Sequence, residues 1–266
     1  IQRIDTLAEG VRGLELVTAD GSELPPFSAG AHIDLHLPGG LVRQYSLWNA
    51  PSERHRYAVA VQKEPQSRGG SRAVHEQLQA GDRLQVSEPR NLFPLVETSG
   101  KTLLLAGGIG ITPLLSMASE LASHNSAFEL HYCFRQRAAA AFIAELEAAE
   151  LAAYCQLHCS SEGQRMDTAR VLAAPAPDDQ LYVCGSAAFI DAMLAAAREA
   201  GWQASQLHRE YFDAPAVTDV AAGSFEIRVG ERSFTVGAEQ TVAEVLEANG
   251  LPVAVSCGKG ICGSCL

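Results

Sequence analysis

Three cysteines near the end of the 266-residue chain, Cys257, Cys262 and Cys265, stand in the spacing C-x4-C-x2-C, with Gly258, Gly260 and Gly263 among them. Soft thiolates on a tight loop can converge on iron and sulfide, and the glycines let main-chain amides point at the sulfurs and adjust a reduction potential. The spacing fits a [2Fe–2S] centre. Structural zinc is the rival, although zinc sites more often show paired C-x2-C units; surface thiols without a metal are the other. The pattern calls for a fourth cysteine, and the sequence stops at Leu266. The fourth ligand is therefore expected on chain beyond it. Cys133, Cys155, Cys159 and Cys184 are scattered through apolar or strand-like stretches and are poor substitutes.

Two further groups could do redox chemistry. Arg43-Gln44-Tyr45-Ser46 offers a guanidinium for a phosphate, an aromatic ring to lie on a flavin, and a hydroxyl to approach its redox nitrogen. Arg68-Gly69-Gly70-Ser71 is a Gly-Gly turn opening a helix, where amide donors and the helix dipole favour an anion. A plain barrel with tight turns would also carry such residues. The stretch Gly107-Gly108-Ile109-Gly110-Ile111-Thr112-Pro113 follows an apolar strand and precedes a helical pattern. Its glycines allow close backbone approach to a pyrophosphate, with Thr112 expected to cap the helix and Pro113 to fill its first position. It is not the G-x-G-x-x-G fingerprint. Cys184-Gly185 ends another short strand; a small buried cysteine is the alternative to a role beside a nicotinamide.

Three kinds of element must position these residues. Residues 1–97 alternate in short β runs such as Ile33–Leu37 and Tyr57–Val61, broken by Pro38-Gly39-Gly40 and Ala80-Gly81-Asp82, which suggests a small antiparallel barrel. One helix is expected to open at Ser71 and run to Gly81. Residues 98–213 alternate strand and helix signals, the pattern of a parallel α/β sheet of nucleotide-binding type. Its helices are read at Leu114–Ala118, across the Ala/Glu-rich stretch 138–152, and from Ala187 to Ala200. Residues 214–223 read as a linker. Residues 224–266 begin an α+β unit, with a hairpin over Gly230-Glu231 and a helix that Thr241 and Glu244 open as a capping box and Gly250 ends.

Composition narrows the classes. Hydrophobic residues make up 47% and charged residues 19%, ordinary for a globular chain, and no run approaches the ~20 apolar residues of a membrane helix. The net charge of −11 argues against a nucleic-acid partner. The first residues carry no secretory pattern, and seven cysteines without one argue against a disulfide framework. The first residue is Ile1, so a short leading segment is expected ahead of it.

The G-G-x-G-x-T-P loop, the R-x-Y-S strand, the Cys-Gly pair and a cysteine loop placed last resemble the ferredoxin-reductase superfamily. Within it, the order resembles the phthalate dioxygenase reductase and vanillate O-demethylase reductase family, whose [2Fe–2S] domain is plant-type and C-terminal. The resemblance covers essentially the whole chain. It implies an NAD(P)H-dependent flavin/iron–sulfur oxidoreductase, cytoplasmic and monomeric, passing electrons to a terminal Rieske-type oxygenase. It implies FMN, held by Arg43, Gln44, Tyr45, Ser46, Val61, Gly69, Gly70 and Ser71. It implies a nicotinamide cofactor held by Gly107, Gly108, Gly110, Thr112, Cys184 and Gly185, with Ser46 and Cys184 in catalytic roles. Phe212 would cover the flavin, unless it simply closes a core. Cys257, Cys262 and Cys265 would bind the cluster. The family points to NADH; Arg135-Gln136-Arg137, with no acid, points to NADPH. The rival readings are a flavin-only oxidoreductase with a zinc-binding tail and a docking module without flavin.

Overall fold

The computed structural model describes residues 1–148, 150–212, 223–251 and 253. The chain divides into two units, Ile1–Phe212 and Asp213–Leu266. The first unit opens with strands β1 (Arg3–Ala8), β2 (Val11–Leu16), β3 (His32–Leu37), β4 (Leu41–Ser46) and β5 (Tyr57–Gln62). Helix α1 (Gly70–Glu76) and the short strand β6 (Gln85–Val86) follow. These strands form two three-stranded antiparallel sheets, β1-β2-β5 and β4-β3-β6, which wrap the core expected of the antiparallel part. The sheets are joined at the bridge Leu47↔Val59. Alternation explains the arrangement: Ile33, Leu35 and Leu37 of β3 meet Leu14, Leu16, Val59 and Val61 in one core, while their neighbours face away. Helix α1 seals this core with Ala73 and Val74. It ends at Glu76 instead of Gly81, because Leu78 reaches the same core from an irregular turn after the helix.

The second half of this unit contains β7 (Thr102–Gly107), α2 (Ile111–Ser123), β8 (Phe128–Phe134), α3 (Ile143–Glu147) and β9 (Cys155–Cys159). It continues with α4 (Thr168–Val171), β10 (Gln180–Gly185), α5 (Ala187–Glu199) and β11 (Leu207–Tyr211). The five strands form a parallel sheet in the order β11-β10-β7-β8-β9. The strands are apolar on both faces because both are covered. Leu104, Ala106, Leu130 and Tyr132 pack under α2, while Leu103, Leu105, Leu181 and Val183 pack under α5. The α2 core also takes in Val11, Ala29, Ala60 and Phe93 from the antiparallel part, so residues 1–97 and 98–212 share buried surface. Ser116 of α2 adds a hydrogen bond to the Asn49 carbonyl at 3.0 Å.

The helix expected over 138–152 is reduced to Ile143–Glu147. Ala140, Ala141 and Phe142 are buried, Phe142 adopts φ +64°, and its ring lies 4.9 Å from that of Trp48. Burial of that ring against the antiparallel part outweighs the alanines' helix propensity, which is worth only tenths of a kcal/mol per residue.

In the second unit β12 (Phe225–Val229) and β13 (Arg232–Val236) form the expected hairpin, and α6 (Val242–Ala248) carries the Thr241/Glu244 capping box. Gly250 follows it with φ +75°. Phe234, Val236, Val245 and Leu246 make its core. Most of the expected 214–223 linker, and Cys257, Cys262 and Cys265, lie outside the described residues. Among the described residues no helix is long and apolar enough to cross a membrane.

Candidate functional site

In the parallel sheet the chain runs from β7 outward to β8 and β9, then returns to the other side of β7 for β10 and β11. The carboxyl ends of β7 and β10 therefore flank the switch point, the crevice where such sheets accept ligands. The two glycine-bearing strand ends lie there. Gly107 packs so tightly that a Cβ on it would meet the Phe189 ring at 2.8 Å, and a Cβ on Gly185 would lie 3.0 Å from Gly107 itself. Gly108 has φ +55°, and a Cβ on Gly110 would sit 2.4 Å from the Cys184 carbonyl. The loop is thus pressed against the end of β10, leaving its outer side to a ligand.

Thr112 does not cap α2. A 3-10 turn over Gly108–Gly110 leads into a helix that already begins at Ile111, so Thr112 and Pro113 occupy its second and third positions. The buried Thr112 hydroxyl donates to the Ile109 carbonyl at 3.1 Å and so fixes the turn.

Register brings Cys184 beside Ala106 of β7 and Glu210 of β11. Cys184 has no exposed surface, and its pKa is raised well above the usual thiol range, first by burial and then, once Glu210 ionises, by that neighbouring charge. The sulfur stays a neutral thiol, suited to positioning rather than to nucleophilic attack. Ser46 arrives at the end of β4 and donates to Glu210 Oε2 across a long 3.5 Å contact. Glu210 retains some exposed surface, yet the protein packed around its carboxyl pushes its pKa up to about 8, opposed by the Ser46 hydrogen bond. A carboxyl of this kind is protonated at neutral pH and poised to exchange a proton. Nothing in the local sequence marks Glu210 beyond its place in the stretch that closes the sheet.

The remaining expected residues fall in two places. Arg43 donates to the Arg68 carbonyl at 2.9 Å, and a Cβ on Gly70 would strike Arg43 Cγ at 2.6 Å. Arg43, Gly69 and Gly70 therefore meet beside the start of α1. Ser71 is partly committed, its hydroxyl accepting from the Glu64 amide at 3.1 Å. Tyr45 lies next along β4, largely enclosed, its phenol pushed up to about 12 by burial. Gln44 turns the other way and donates to Asp34 at 3.0 Å. Val61 is not in this group: it is buried in the core between the two antiparallel sheets, its carbonyl 2.8 Å from His75 Nε2. Phe212 is exposed at the end of β11.

On the face of β3 shared with Ser46, His32 is buried in register with Ser46, and its Nε2 has no partner. Burial first, and then the charge of Arg90, lower its pKa to about 4, against a smaller opposing effect of Asp34. The unfolded chain binds this proton near pH 6.5 and the folded chain only near pH 4, so stability rises with pH between those values. Between pH 7 and pH 5 the fold is expected to lose about 2 kcal/mol through this group. Urea titrations of wild type and His32→Asn at both pH values check it; an equal acid loss in the variant contradicts the assignment.

Among the described residues no cluster of three or more His, Cys, Asp or Glu side chains is arranged to hold a metal ion. A family model for a 2Fe-2S iron-sulfur cluster binding domain matches residues 225–266, the stretch containing Cys257, Cys262 and Cys265. The chain is 49% identical over 270 residues to a vanillate O-demethylase oxidoreductase of Pseudomonas sp. (strain HR199 / DSM 7063), across 100% of this chain and 85% of that protein. It is 38% identical over 271 residues to the carnitine monooxygenase reductase subunit of Escherichia coli (strain K12), across 100% and 84% respectively. Among solved structures it is similar to phthalate dioxygenase reductase, described as a modular structure for electron transfer from pyridine nucleotides to [2Fe-2S]. That match has a TM-score of 0.82 and 34% identity, covering 100% of this chain and 84% of the other.

Proposed function

The chain belongs to the family of the vanillate O-demethylase oxidoreductases, and we propose that it draws electrons from a reduced nicotinamide dinucleotide through FMN and a [2Fe–2S] centre to a terminal Rieske-type oxygenase. It is an oxidoreductase of the electron-transfer kind that serves oxygenase systems, with a 2Fe–2S ferredoxin domain. The finer route is the reading that the site geometry supports best. The observation that carries it is the meeting of Ser46, Cys184 and Glu210 beside the glycine loop at the switch point.

The residues fit the groups. At Gly70 only a hydrogen can stand against Arg43, which leaves a guanidinium and main-chain amides together for a phosphate. Arg43, Gly69, Gly70 and Ser71 would hold the FMN phosphate, Tyr45 would offer its ring face, and Phe212 would cover the other side. Gly107, Gly108 and Gly110 would admit the dinucleotide pyrophosphate, with Thr112 holding the turn and Cys184-Gly185 lining the nicotinamide end. Cys257, Cys262 and Cys265 supply three soft donors of the set a [2Fe–2S] cluster needs. When bound, the flavin accepts a hydride and the cluster carries single electrons, chemistry that no side chain here provides. Glu210 and Ser46 hold and move a proton at Ser46 Oγ, and the packed antiparallel and parallel halves exclude water behind them.

The test is an anaerobic absorbance spectrum of the full-length protein before and after NADH. The expected result is bleaching of flavin bands together with loss of iron–sulfur absorbance. Flavin bleaching alone would favour the flavin-only oxidoreductase with a zinc tail, and a colourless protein would sink both.

A further inference from the structure

Four consecutive alanines, Ala138–Ala141, stand between the end of β8 and α3. Alanine is the best helix former, so on local preference this run would carry α3 back towards β8. Part of that helix already exists. A 3-10 turn over Arg137–Ala139 closes the Ala139 amide on the Gln136 carbonyl at 3.2 Å and the Ala140 amide on the Arg137 carbonyl at 3.1 Å. Only Ala140, Ala141 and Phe142 separate that turn from Ile143, the first residue of α3.

A clasp keeps the two pieces apart, and two costs meet in it. Phe142 has φ +64° and ψ +18°, a left-handed conformation that an L residue with a large side chain avoids. Among the described residues the other non-glycine residues with positive φ are Asn125 and Ala174, so Phe142 is the one large side chain held this way. Its ring lies on Trp48, whose indole N–H is buried without an acceptor. Burial of the Phe142 ring, and a hydrogen bond from the Glu9 amide to the Ala138 carbonyl at 2.8 Å, hold the clasp against both costs. With Phe142 at an ordinary helical φ, the amides of Phe142–Glu145 would pass to the carbonyls of Ala138–Ala141, making one helix from the turn to Glu147. The same residues thus have two packings, one set by distant partners and one by local preference.

We propose that Ala140–Phe142 are a two-state strap, clasped on Trp48 or helical as the start of a longer α3, and that the adenosine-phosphate end of the dinucleotide favours the helical state. The proposal rests on the reductase reading above and adds a conformational response to it. The root of the strap directly follows β8, whose Cys133 is in register with Gly107 of the glycine loop, so a ligand on that loop lies beside it. A helix begun at this root turns its first, unpaired amides back towards the end of β8, and a phosphate there stabilises it. At the other end Trp48 stands two residues beyond Ser46, its amide bonded to the Ala58 carbonyl at 3.0 Å. Release of Phe142 therefore loosens the packing next to the Ser46–Glu210 pair when the far end of the reductant is seated.

Hydrogen exchange of the backbone amides of Ile143, Ala144 and Glu145 in the purified full chain tests it. Phe142→Ala and Phe142→Gly remove the same ring, but glycine tolerates the left-handed conformation while alanine prefers the helix. The strap predicts that these amides exchange about tenfold or more slowly in Phe142→Ala than in Phe142→Gly, from alanine's helix preference and the left-handed penalty that glycine escapes. In wild type, saturating 5′-ADP is expected to slow the same amides by about threefold or more. Equal exchange in the two variants, or ADP bound by calorimetry with wild-type exchange unchanged, overturns the proposal. Should neither variant accumulate as folded protein, Trp48→Leu, which removes the clasp from the other side, is expected to slow the same amides, and unchanged exchange there overturns it equally. If ADP does not bind, the dinucleotide reading falls and the trigger with it, while the contrast between alanine and glycine still decides whether the strap has two states.

Discussion

Replacing Glu210 with glutamine is expected to lower NADH-driven turnover by about two to three orders of magnitude, the usual worth of a positioned acid–base group. The stoichiometry requires such a group. Oxidising NADH to NAD⁺ releases two electrons and one proton, and only the electrons pass on to a one-electron acceptor. The proton must leave through the protein, and Ser46 Oγ next to the Glu210 carboxyl is the route the site offers. Glutamine keeps the shape and can still meet Ser46, but it cannot accept a proton and release it. Because the ionised carboxylate is the acceptor, wild-type turnover should climb with pH towards the Glu210 pKa of about 8 and then level, and the variant should lose that limb. Stability moves the opposite way. The folded protein holds this proton to about pH 8 and the unfolded chain only to about 4.5, so the fold weakens as pH rises across that interval, a slope that Glu210→Gln removes. Ser46→Ala should cost a similar factor, and the double variant little more, because the two groups act as one path. Stopped-flow and steady-state rates across pH 6–9 decide the matter; a Glu210→Gln turnover within threefold of wild type rules the path out.

What the sequence made legible was local. The β12–β13 hairpin, the Thr241/Glu244 capping box and the helix from Ala187 are specified by residues within a few positions of each other, and they stand where the spacing put them. Features decided by distant partners were not legible. The alanines before Phe142 favour a helix on propensity, yet Trp48, far away in sequence, captures the Phe142 ring and the helix begins only at Ile143. The start of α2 was misplaced for a related reason: the turn over Gly108–Gly110 is set by contact with β10, so Thr112 falls inside the helix. Glu210 illustrates the limit in the site itself. Nothing within His208–Phe212 marks that carboxyl, and its partner Ser46 is 164 residues away. Its perturbed titration exists only once β11 lies in register with β10.

Gly110→Ala is the substitution expected to damage the nucleotide site most, and its cause can be separated from backbone preference. Gly110 has φ −64°, a conformation any residue adopts, so alanine brings no dihedral penalty there. What it brings is a Cβ 2.4 Å from the carbonyl carbon and oxygen of Cys184 and 2.5 Å from the Gly185 nitrogen. Those are backbone atoms of β10, which is hydrogen-bonded to β7 on one side and β11 on the other, so they cannot give way as a side chain would. The loop must lift instead, moving away from Cys184 and Gly185 by an ångström or more. A displacement of about 1 Å between a bound reactant and its site is enough to cost about a hundredfold, and a loss of at least that size in kcat/KM for NADH is expected. Gly108→Ala is the informative contrast. Gly108 has φ +55° and nothing within 4 Å of an added Cβ, so alanine there should cost only the left-handed backbone penalty of about 1 kcal/mol. If the two variants proved equally mild, the close contact of the loop with β10 would not be what shapes the pyrophosphate site. If Gly110→Ala did not accumulate as folded protein, the Gly108→Ala variant, folded and active, would still locate the damage in the contact with β10 rather than in the loop's glycine content.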